Sequence, residues 1–385
     1  MTGSARQIIA AFKEMFHTKP ATFFSPGRIN LIGEHIDYND GFVMPAAIDK
    51  GIWFAIAANN TDRVHVYSAD EKEHLDISLQ EIKKADGWKN YILGIIYELQ
   101  QRNADIHGFD AVFGGNLPIG AGLSSSAAVE CGLGFALNAV FGLDILRIDI
   151  ALAGQKAEHN FPGVKCGIMD QFANMMGKKD HVLLLDCDSL EYELLPLKLT
   201  DHSIILINSK VHHALTGGGY NERRQQCEEG LHLLQKKYPS AKTFRDITPE
   251  QVLAVKENIP IDVYNRCLYA TQEIQRTQLA AQLLKQNKLK EFGDLMFATH
   301  EGLSKLYDVS CEELDFLVDE AKRFKEVIGA RLMGGGFGGC TINIIENNLL
   351  EKITSSITEN YKTKFGIDAE IYLMHLEDGT HEICG

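Results

Sequence analysis

A glycine and serine stretch at residues 114–128 contains the residue types that bind phosphate. Gly120 and Gly122 allow positive φ angles and close backbone approaches that a Cβ would obstruct. The hydroxyl triplet Ser124–Ser126 offers N-cap candidates, and the two alanines that follow favour a helix. A glycine loop that opens a helix presents free N–H groups and the positive end of the helix dipole to a phosphate. From these residues alone, a phosphate loop and an ordinary capped turn remain alternatives.

A second segment, residues 22–41, begins as an apolar strand and ends in a group of polar side chains. Arg28 follows a Pro-Gly pair among apolar neighbours, a setting in which partners usually hold an arginine in place. Glu34, His35 and Asp37 then place several hydrogen-bond donors and acceptors in one short loop. This set suits recognition of a polyhydroxylated ligand, and a solvated polar turn is the alternative.

Two carboxylates and a second glycine loop complete the candidate set. Asp170 lies in an uncharged segment, so it could be a helix N-cap, a partner in a buried ion pair or a catalytic group. Glu158, in a helical run, would by default be a solvated charge. Residues 334–339 match G-x-G-x-x-G, but we predict that they run from a helix into a strand, the reverse of a dinucleotide-binding loop. Their glycine content favours close approach to a ligand or another domain, with a tight turn as the alternative.

Length, charge and cysteine usage limit the class of protein. The chain has 385 residues, enough for two domains, and its net charge of −14 disfavours non-specific nucleic-acid binding. Its 8 cysteines form no C-x-x-C pair, which argues against a disulfide framework and fits a reducing compartment. No apolar run is long enough to span a bilayer, and the first residues lack the apolar core of a signal peptide. We therefore expect a cytoplasmic protein that binds neither nucleic acid nor membrane.

Hydrophobic periodicity places these motifs on a mixture of helices and strands. Strands over 51–58 and 63–68 are separated by a turn-like tetrapeptide, and we predict that they form a hairpin. The irregular stretch 189–201 is a candidate domain boundary. The mixture indicates an α+β architecture in both halves of the chain. Helices are predicted over residues 4–17, 88–101, 148–160, 221–237, 261–286, 311–324 and 349–364, and after Ser126.

Taken together, the motifs resemble those of a known family. Residues 25–41 are similar to the galactokinase signature. Residues 118–127 resemble the phosphate loop of the superfamily of galactokinase, homoserine kinase, mevalonate kinase and phosphomevalonate kinase (GHMP), and residues 332–339 resemble its third motif. The motifs stand in the family's order, and the resemblance spans essentially the whole chain. Ser25 is a mild departure, because the family commonly has alanine or another small residue there.

The resemblance implies a fold and a reaction. It implies a two-domain α+β GHMP kinase with an N-terminal ribosomal-protein S5 domain 2-like fold and an active site in the cleft between the domains. We expect an N-terminal sugar- and ATP-binding domain over 1–195 and a C-terminal domain over 196–385. The enzyme would transfer phosphate from MgATP to the anomeric hydroxyl of galactose, giving galactose 1-phosphate and ADP. We expect a monomer.

The resemblance also implies roles for individual residues. Asp170 and Arg28 match the catalytic pair of the family. Ser126 and Glu158 match the ligands of Mg²⁺, and both offer the oxygen atoms that this cation needs. The matches to sugar-binding positions are Glu34, His35, Ile36, Asp37, Gly167 and Tyr220. The matches to ATP-binding positions are Ser68, Gly120, Ala121, Gly122, Leu123, Ser124, Ser125 and Ser126.

Two rival functions share much of this pattern. A kinase for a related sugar, such as N-acetylgalactosamine or arabinose, would differ in the pocket around the sugar's 2-position, which the sequence does not locate. A non-catalytic sensor of sugar and nucleotide would be expected to lose residues from the serine-rich loop. Ser124–Ser126 are all present here, together with Arg28 and Asp170.

Overall fold

The computed structural model describes residues 3–118, 120–212 and 216–383, which form helices and three sheets. The helices are α1 (Gly3–Phe16), α2 (Lys89–Gln100), α3 (Ser125–Phe141), α4 (Arg147–Asn160), α5 (Met169–Met176), α6 (Thr216–Lys237), α7 (Pro249–Leu253), α8 (Ile261–Lys285), α9 (Leu289–Gly302), α10 (Glu312–Lys322) and α11 (Leu350–Phe365). The strands are β1 (Ala21–Asn30), β2 (Phe42–Val43), β3 (Pro45–Ala58), β4 (Arg63–Ser68), β5 (Glu73–Ser78), β6 (Phe109–Gly115), β7 (His181–Asp186), β8 (Tyr192–Pro196), β9 (His202–His212), β10 (Val327–Met333), β11 (Gly338–Glu346), β12 (Glu370–Met374) and β13 (His381–Glu382).

The first sheet has the strand order β13-β1-β3-β6-β4-β5, so the predicted hairpin of 51–58 with 63–68 is wrong. β6 lies between β3 and β4, antiparallel to the former and parallel to the latter. Burial gives the physical reason. β6 is buried along most of its length, on both faces, and an interior position in the sheet satisfies its backbone on both sides. The crossover from β4 through β5 and α2 is long enough for the parallel pairing.

The second sheet, with the order β10-β11-β9-β12, corrects the expected context of the second glycine loop. Residues 334–339 connect β10 to β11, which pair antiparallel, and no helix leads directly into the loop. β10 is buried at nearly every position. Such a continuous buried run has no alternating pattern, so periodicity does not distinguish it from the end of a helix.

The third sheet, β2-β7-β8, bears on the expected domain boundary. The stretch 189–201, predicted to be irregular, contains β8, which pairs with β7. The division between 195 and 196 therefore falls at the last residue of a strand, and it stays a prediction. At the other end of the chain, β13 returns to the first sheet and pairs with Phe23 and Phe24 of β1.

Buried side chains join these sheets to the helices around the candidate motifs. One core cluster packs the first sheet against α2 and α3. A second cluster connects α5 with α6 and α8 and includes Ile36 from the polar loop that follows β1. A third cluster contains Ile32, Leu123 and Met333, which lie at the polar loop, the serine-rich loop and the second glycine loop, so the three loops come together there. Among the described residues, no helix is both long enough and apolar enough to cross a membrane.

Candidate active site

A cavity of about 170 Å³ brings together many of the residues that the sequence singles out. The predicted residues that line it are Arg28, Glu34, His35, Asp37, Ser126, Glu158, Asp170 and Tyr220. Gly334 and Gly335 of the second glycine loop also line it, and the remaining lining residues, to which the sequence analysis gave no role, are Val164, Cys166, Met169 and Gln171. The walls are rich in carboxylates and in hydrogen-bonding groups, as a binding site for a polyhydroxylated molecule requires.

Two partners hold the Asp170 carboxylate in place. The Arg28 guanidinium donates from Nε to Asp170 Oδ1 over 2.7 Å, and the Ser124 hydroxyl donates to Oδ2 over 2.5 Å. Arg28 also donates from Nη1 to the Gly122 carbonyl. The Asp170 side chain keeps 26% exposure, whereas that of Arg28 keeps 6%. Asp170 is therefore an oriented carboxylate that a ligand in the cavity can still reach.

A bulge in β1 places Arg28 beside the serine-rich loop. The pairing of β1 with β3 shifts register between Pro26 and Arg28. The Arg28 backbone N–H then donates to the Leu123 carbonyl over 3.2 Å. Gly27 is required here, because a Cβ on it would lie 2.8 Å from the Leu123 carbonyl oxygen. The Pro-Gly pair thus brings the strand against the loop instead of ending the strand.

The serine-rich loop has the geometry of an anion-binding loop and not that of a side-chain-capped turn. Gly120 and Gly122 have φ angles of 72° and 70°. α3 begins at Ser125, and Ser124 occupies the N-cap position with a φ of 59° but makes no capping hydrogen bond from its side chain. The expectation of a serine cap is therefore wrong for Ser124, whose hydroxyl serves Asp170 instead. The N–H groups of the first turn of α3 have no acceptor within the helix and can bind an anion.

The second glycine loop packs against the first. A Cβ on Gly122 would lie 3.3 Å from the Met333 carbonyl oxygen, and one on Gly334 would lie 3.5 Å from the Gly122 Cα. Gly336, with a φ of 83°, lies directly against the Val309 carbonyl, which leaves no room for a side chain. The sequence predicts close approach to a ligand or another domain, and the structure shows this loop in close approach to the serine-rich loop, which lies in the other predicted domain.

Glu34 is held by a fully buried arginine that the sequence analysis missed. Arg331 of β10 has no exposed side-chain surface, and its Nη1 donates to Glu34 Oε2 over 2.6 Å. Arg331 also donates to the backbone carbonyls of Asn30 and Leu31. Asn30 Nδ2 donates to the same Glu34 oxygen over 3.1 Å. The only sequence signal for this role is a single charge in an otherwise apolar strand.

Helix α8 supports the same polar loop from the other side. The Gly33 N–H donates to Glu273 Oε1 over 3.0 Å, and the Tyr269 hydroxyl donates to the Glu34 carbonyl over 2.9 Å. Both Glu273 and Tyr269 have no exposed surface. The loop is therefore fixed before any ligand arrives, which lowers the entropy cost of binding.

His35 lies among tyrosines and is neutral. Its Nδ1 is 2.8 Å from the Tyr38 hydroxyl, and its ring is 5.4 Å from the ring of Tyr220 and 5.0 Å from that of Tyr307. Burial, together with the positive charges of Arg223 and Arg331, lowers the pKa of His35 to about 3, although a hydrogen bond with the Gly335 backbone opposes the shift. A neutral imidazole can both donate and accept hydrogen bonds, which suits contact with a hydroxyl group.

Burial and neighbouring charges shift the ionisation of the groups at the cavity. Burial, together with the like charges of Asp170 and Glu34, raises the pKa of Asp37 to about 7. Burial lowers the pKa of Arg28, but the negative charges of Asp170 and Glu34 outweigh that effect and the net shift is upward. The cavity therefore has a permanent cation, Arg28, beside several carboxyl groups.

Ser126 and Glu158 form a small oxygen-bearing pair at the start of α3 and in α4. Burial raises the pKa of Glu158 to about 7, whereas a hydrogen bond with Ser126 lowers it. No group of three or more His, Cys, Asp or Glu side chains in the described parts of the chain could hold a metal ion by itself. One hydroxyl and one carboxylate fit a hard cation such as Mg²⁺ that keeps several waters and shares phosphate oxygens.

Three predicted residues lie differently from the others. Ile36 has a fully buried side chain in a core cluster, so only its backbone can face a ligand. Gly167 lies against the Asp37 carboxylate, and a Cβ at this position would collide with it. Ser68 does not line the cavity, and its hydroxyl accepts a hydrogen bond from the Glu71 N–H over 3.3 Å. The roles implied for these three residues, like those of the other site residues, stay predictions.

Comparisons with known proteins agree with this geometry. The galactokinase galactose-binding signature matches residues 10–58, the GHMP kinases N terminal domain matches 90–178 and the GHMP kinases C terminal domain matches 280–363. The galactokinase of Thermotoga maritima is 39% identical over 93% of this chain and 99% of its own length. That of Clostridium perfringens is 41% identical over 97% of this chain and 98% of its own length.

A solved structure extends the similarity to three dimensions. The crystal structure of Lactococcus lactis galactokinase complexed with galactose matches with a TM-score of 0.94 at 33% identity, over 97% of this chain and 98% of that chain. The predicted two-domain α+β fold of the GHMP kinases is confirmed. The chain belongs to the galactokinase family of the GHMP kinases.

Proposed function

We propose that this chain phosphorylates the anomeric hydroxyl of D-galactose with ATP, giving galactose 1-phosphate and ADP. The observation that carries the proposal is the Asp170 carboxylate, which Arg28 and Ser124 orient towards a cavity of polar side chains. The open N-terminus of α3 lies next to it, where a nucleotide phosphate would bind. The names of the relatives, and the galactose in the Lactococcus lactis structure, support the choice of sugar.

The reaction requires alignment and charge neutralisation more than covalent chemistry by the protein. Asp170 accepts the proton of the anomeric hydroxyl or orients that hydroxyl towards the γ-phosphorus. Arg28 orients Asp170 and offsets negative charge that develops on the transferring group. Glu34, His35, Asp37 and Tyr220 bind the remaining sugar hydroxyls.

Ser126 and Glu158 would hold Mg²⁺, which supplies positive charge to the ATP phosphates when bound. Burial raises the pKa of Glu158 to about 7, and a nearby cation would offset that effect of burial. The loop 120–126 binds the phosphates through its backbone N–H groups. The role implied for Ser68, a contact with the nucleotide, remains part of the proposal.

Replacing Ser126 with alanine should raise the magnesium requirement. Loss of one oxygen ligand weakens metal binding, and we expect the Mg²⁺ concentration at half-maximal rate to rise about tenfold. A magnesium titration at saturating galactose and ATP measures the change. Ser355→Ala, which removes an exposed hydroxyl from α11, should leave the titration unchanged. An unaltered curve for Ser126→Ala would exclude this residue as a ligand.

Sugar affinity should depend on pH through Asp37. With its pKa raised to about 7, the carboxyl is neutral at lower pH and ionised at higher pH. The ionised form accepts hydrogen bonds from sugar hydroxyls, so KM for galactose should rise about tenfold from about pH 8 to about pH 6. Initial rates at saturating MgATP measure this profile. Asp37→Asn should bind more weakly and lose the pH dependence, and a KM that falls with acidification would contradict the assignment.

One assay separates galactokinase activity from its rivals. ADP release is measured with galactose, N-acetylgalactosamine, arabinose and glucose at matched concentrations. We expect kcat/KM to be highest with galactose. A higher value with another sugar would assign the chain to a related kinase, and no release with any of the four sugars would favour a sensor.

A further inference from the structure

The buried polar side chains of Ser25, Asn174 and Thr380, none of which lines the cavity, form a closed ring of hydrogen bonds. Asn174 Nδ2 donates to Ser25 Oγ over 2.9 Å, and the Thr380 hydroxyl donates to Asn174 Oδ1 over 2.6 Å. The Ser25 and Thr380 hydroxyl oxygens are 3.1 Å apart. Because the single proton of the Thr380 hydroxyl is used on Asn174, the Ser25 hydroxyl donates to Thr380. Each member of the ring therefore donates once and accepts once around the circuit.

The ring is fully desolvated and connects three distant parts of the chain. Ser25 and Thr380 have 0% exposure and Asn174 has 1%. Ser25 lies in β1, Asn174 in α5, and Thr380 directly before β13. The Thr380 N–H also donates to the Asn174 carbonyl over 2.8 Å. Such hydrogen bonds polarise one another in a medium of low dielectric constant, and opening the ring would leave buried groups unpaired.

The ring is connected to Arg28 through the backbone of β1 and to Asp170 through helix α5. The second N–H of the Asn174 side chain donates to the Pro26 carbonyl over 2.6 Å, at the start of the β1 bulge that carries Arg28. Asp170 lies one helical turn before Asn174 in the same helix. The ring thus holds the backbone on both sides of the 2.7 Å contact between Arg28 and Asp170.

We propose that Ser25, Asn174 and Thr380 are positioning residues that set the geometry of the Arg28–Asp170 pair for phosphoryl transfer. The proposal rests on the function proposed above. It gives the C-terminal segment, which lies outside the cavity, a role in turnover. It also gives a role to the Ser25 hydroxyl, at a position where the family commonly has alanine or another small residue. Since the ring does not line the cavity, its loss should lower kcat and leave the binding of both substrates nearly unchanged.

Thr380→Val tests the ring, because valine keeps the shape of threonine and removes its hydroxyl. Displacement of reacting groups by a fraction of an ångström reduces turnover strongly, and we expect kcat to fall about tenfold with KM for galactose and ATP within about twofold. Thr380→Ser restores the hydroxyl and should restore most of kcat. Thr354→Val, which removes a buried hydroxyl in α11, is the matched control and should retain kcat.

The outcomes are distinct. The proposal would be overturned if kcat of Thr380→Val were unchanged, or if kcat of Thr380→Ser fell as far as that of Thr380→Val. It would also be overturned if Thr380→Val changed only KM. If Thr380→Val does not fold, Ser25→Ala opens the ring at another corner and should show the same fall in kcat, whereas an unchanged kcat would overturn the proposal. If the unaltered chain releases no ADP with galactose, it is the proposed function that fails.

Discussion

Asp170→Asn should reduce kcat by about 10²- to 10⁴-fold while binding of galactose and MgATP stays close to that of the unaltered chain. The amide has nearly the same shape as the carboxylate, and its oxygen can still accept from Arg28. It cannot take the proton of the anomeric hydroxyl, and it lacks the negative charge that orients that hydroxyl. The loss therefore falls on the chemical step and not on assembly of the complex.

Initial-rate kinetics and calorimetric titration of each substrate test this expectation together. The substitution is paired with Asp180→Asn, which changes an exposed aspartate in the same part of the chain and should keep full activity. Near-normal turnover in Asp170→Asn would remove Asp170 from the mechanism. A large loss of galactose affinity with unchanged kcat would make it a binding residue instead.

Arg331→Met should have the largest effect on stability. It leaves the Glu34 carboxylate buried without its cation, and breaking a buried pair of this kind typically costs about 3–5 kcal/mol of the free energy of unfolding. It also frees the carbonyls of Asn30 and Leu31, whose hydrogen bonds fix the strand that leads into the polar loop. The substitution should also lower the affinity for galactose, because Glu34 lines the cavity and would lose the partner that holds it in place.

Denaturant unfolding, with and without galactose, measures both effects. Arg63→Met is the control, since its ion pair with Asp76 is exposed and should contribute no more than about 1 kcal/mol. Adding Glu34→Gln to Arg331→Met removes the unpaired charge and should recover part of the lost stability. Equal unfolding free energies for Arg331→Met and Arg63→Met would contradict this view of the buried pair.

The sequence was most informative where chemistry is concentrated in short motifs. Arg28, Glu34 and Asp37 lie within one segment, and their residue types alone indicated a polar binding site. The glycine spacing at residues 120–122 predicted the backbone conformation of the phosphate loop, because positive φ angles require that residue type. Joining these segments into one kinase site depended on family resemblance and not on periodicity.

Contacts between distant segments could not be predicted in the same way. Arg331 and Glu34 are 297 residues apart, and no local pattern links them. β6 enters the sheet between two strands that are close in sequence, because its burial on both faces outweighs the short connection that favours a hairpin. Ser124 occupies the N-cap position, but its left-handed φ of 59° departs from the extended backbone of a capping residue, and its hydroxyl donates to Asp170.

The most direct test of the central claim is the identity of the product. The chain is incubated with D-galactose, ATP and Mg²⁺, and the reaction is followed by phosphorus NMR with detection of coupling to sugar protons. We predict a new phosphate signal coupled to the anomeric proton of galactose, formed together with ADP and absent with Asp170→Asn. A phosphate signal coupled to the C6 protons, or ADP without any sugar phosphate, would contradict the account.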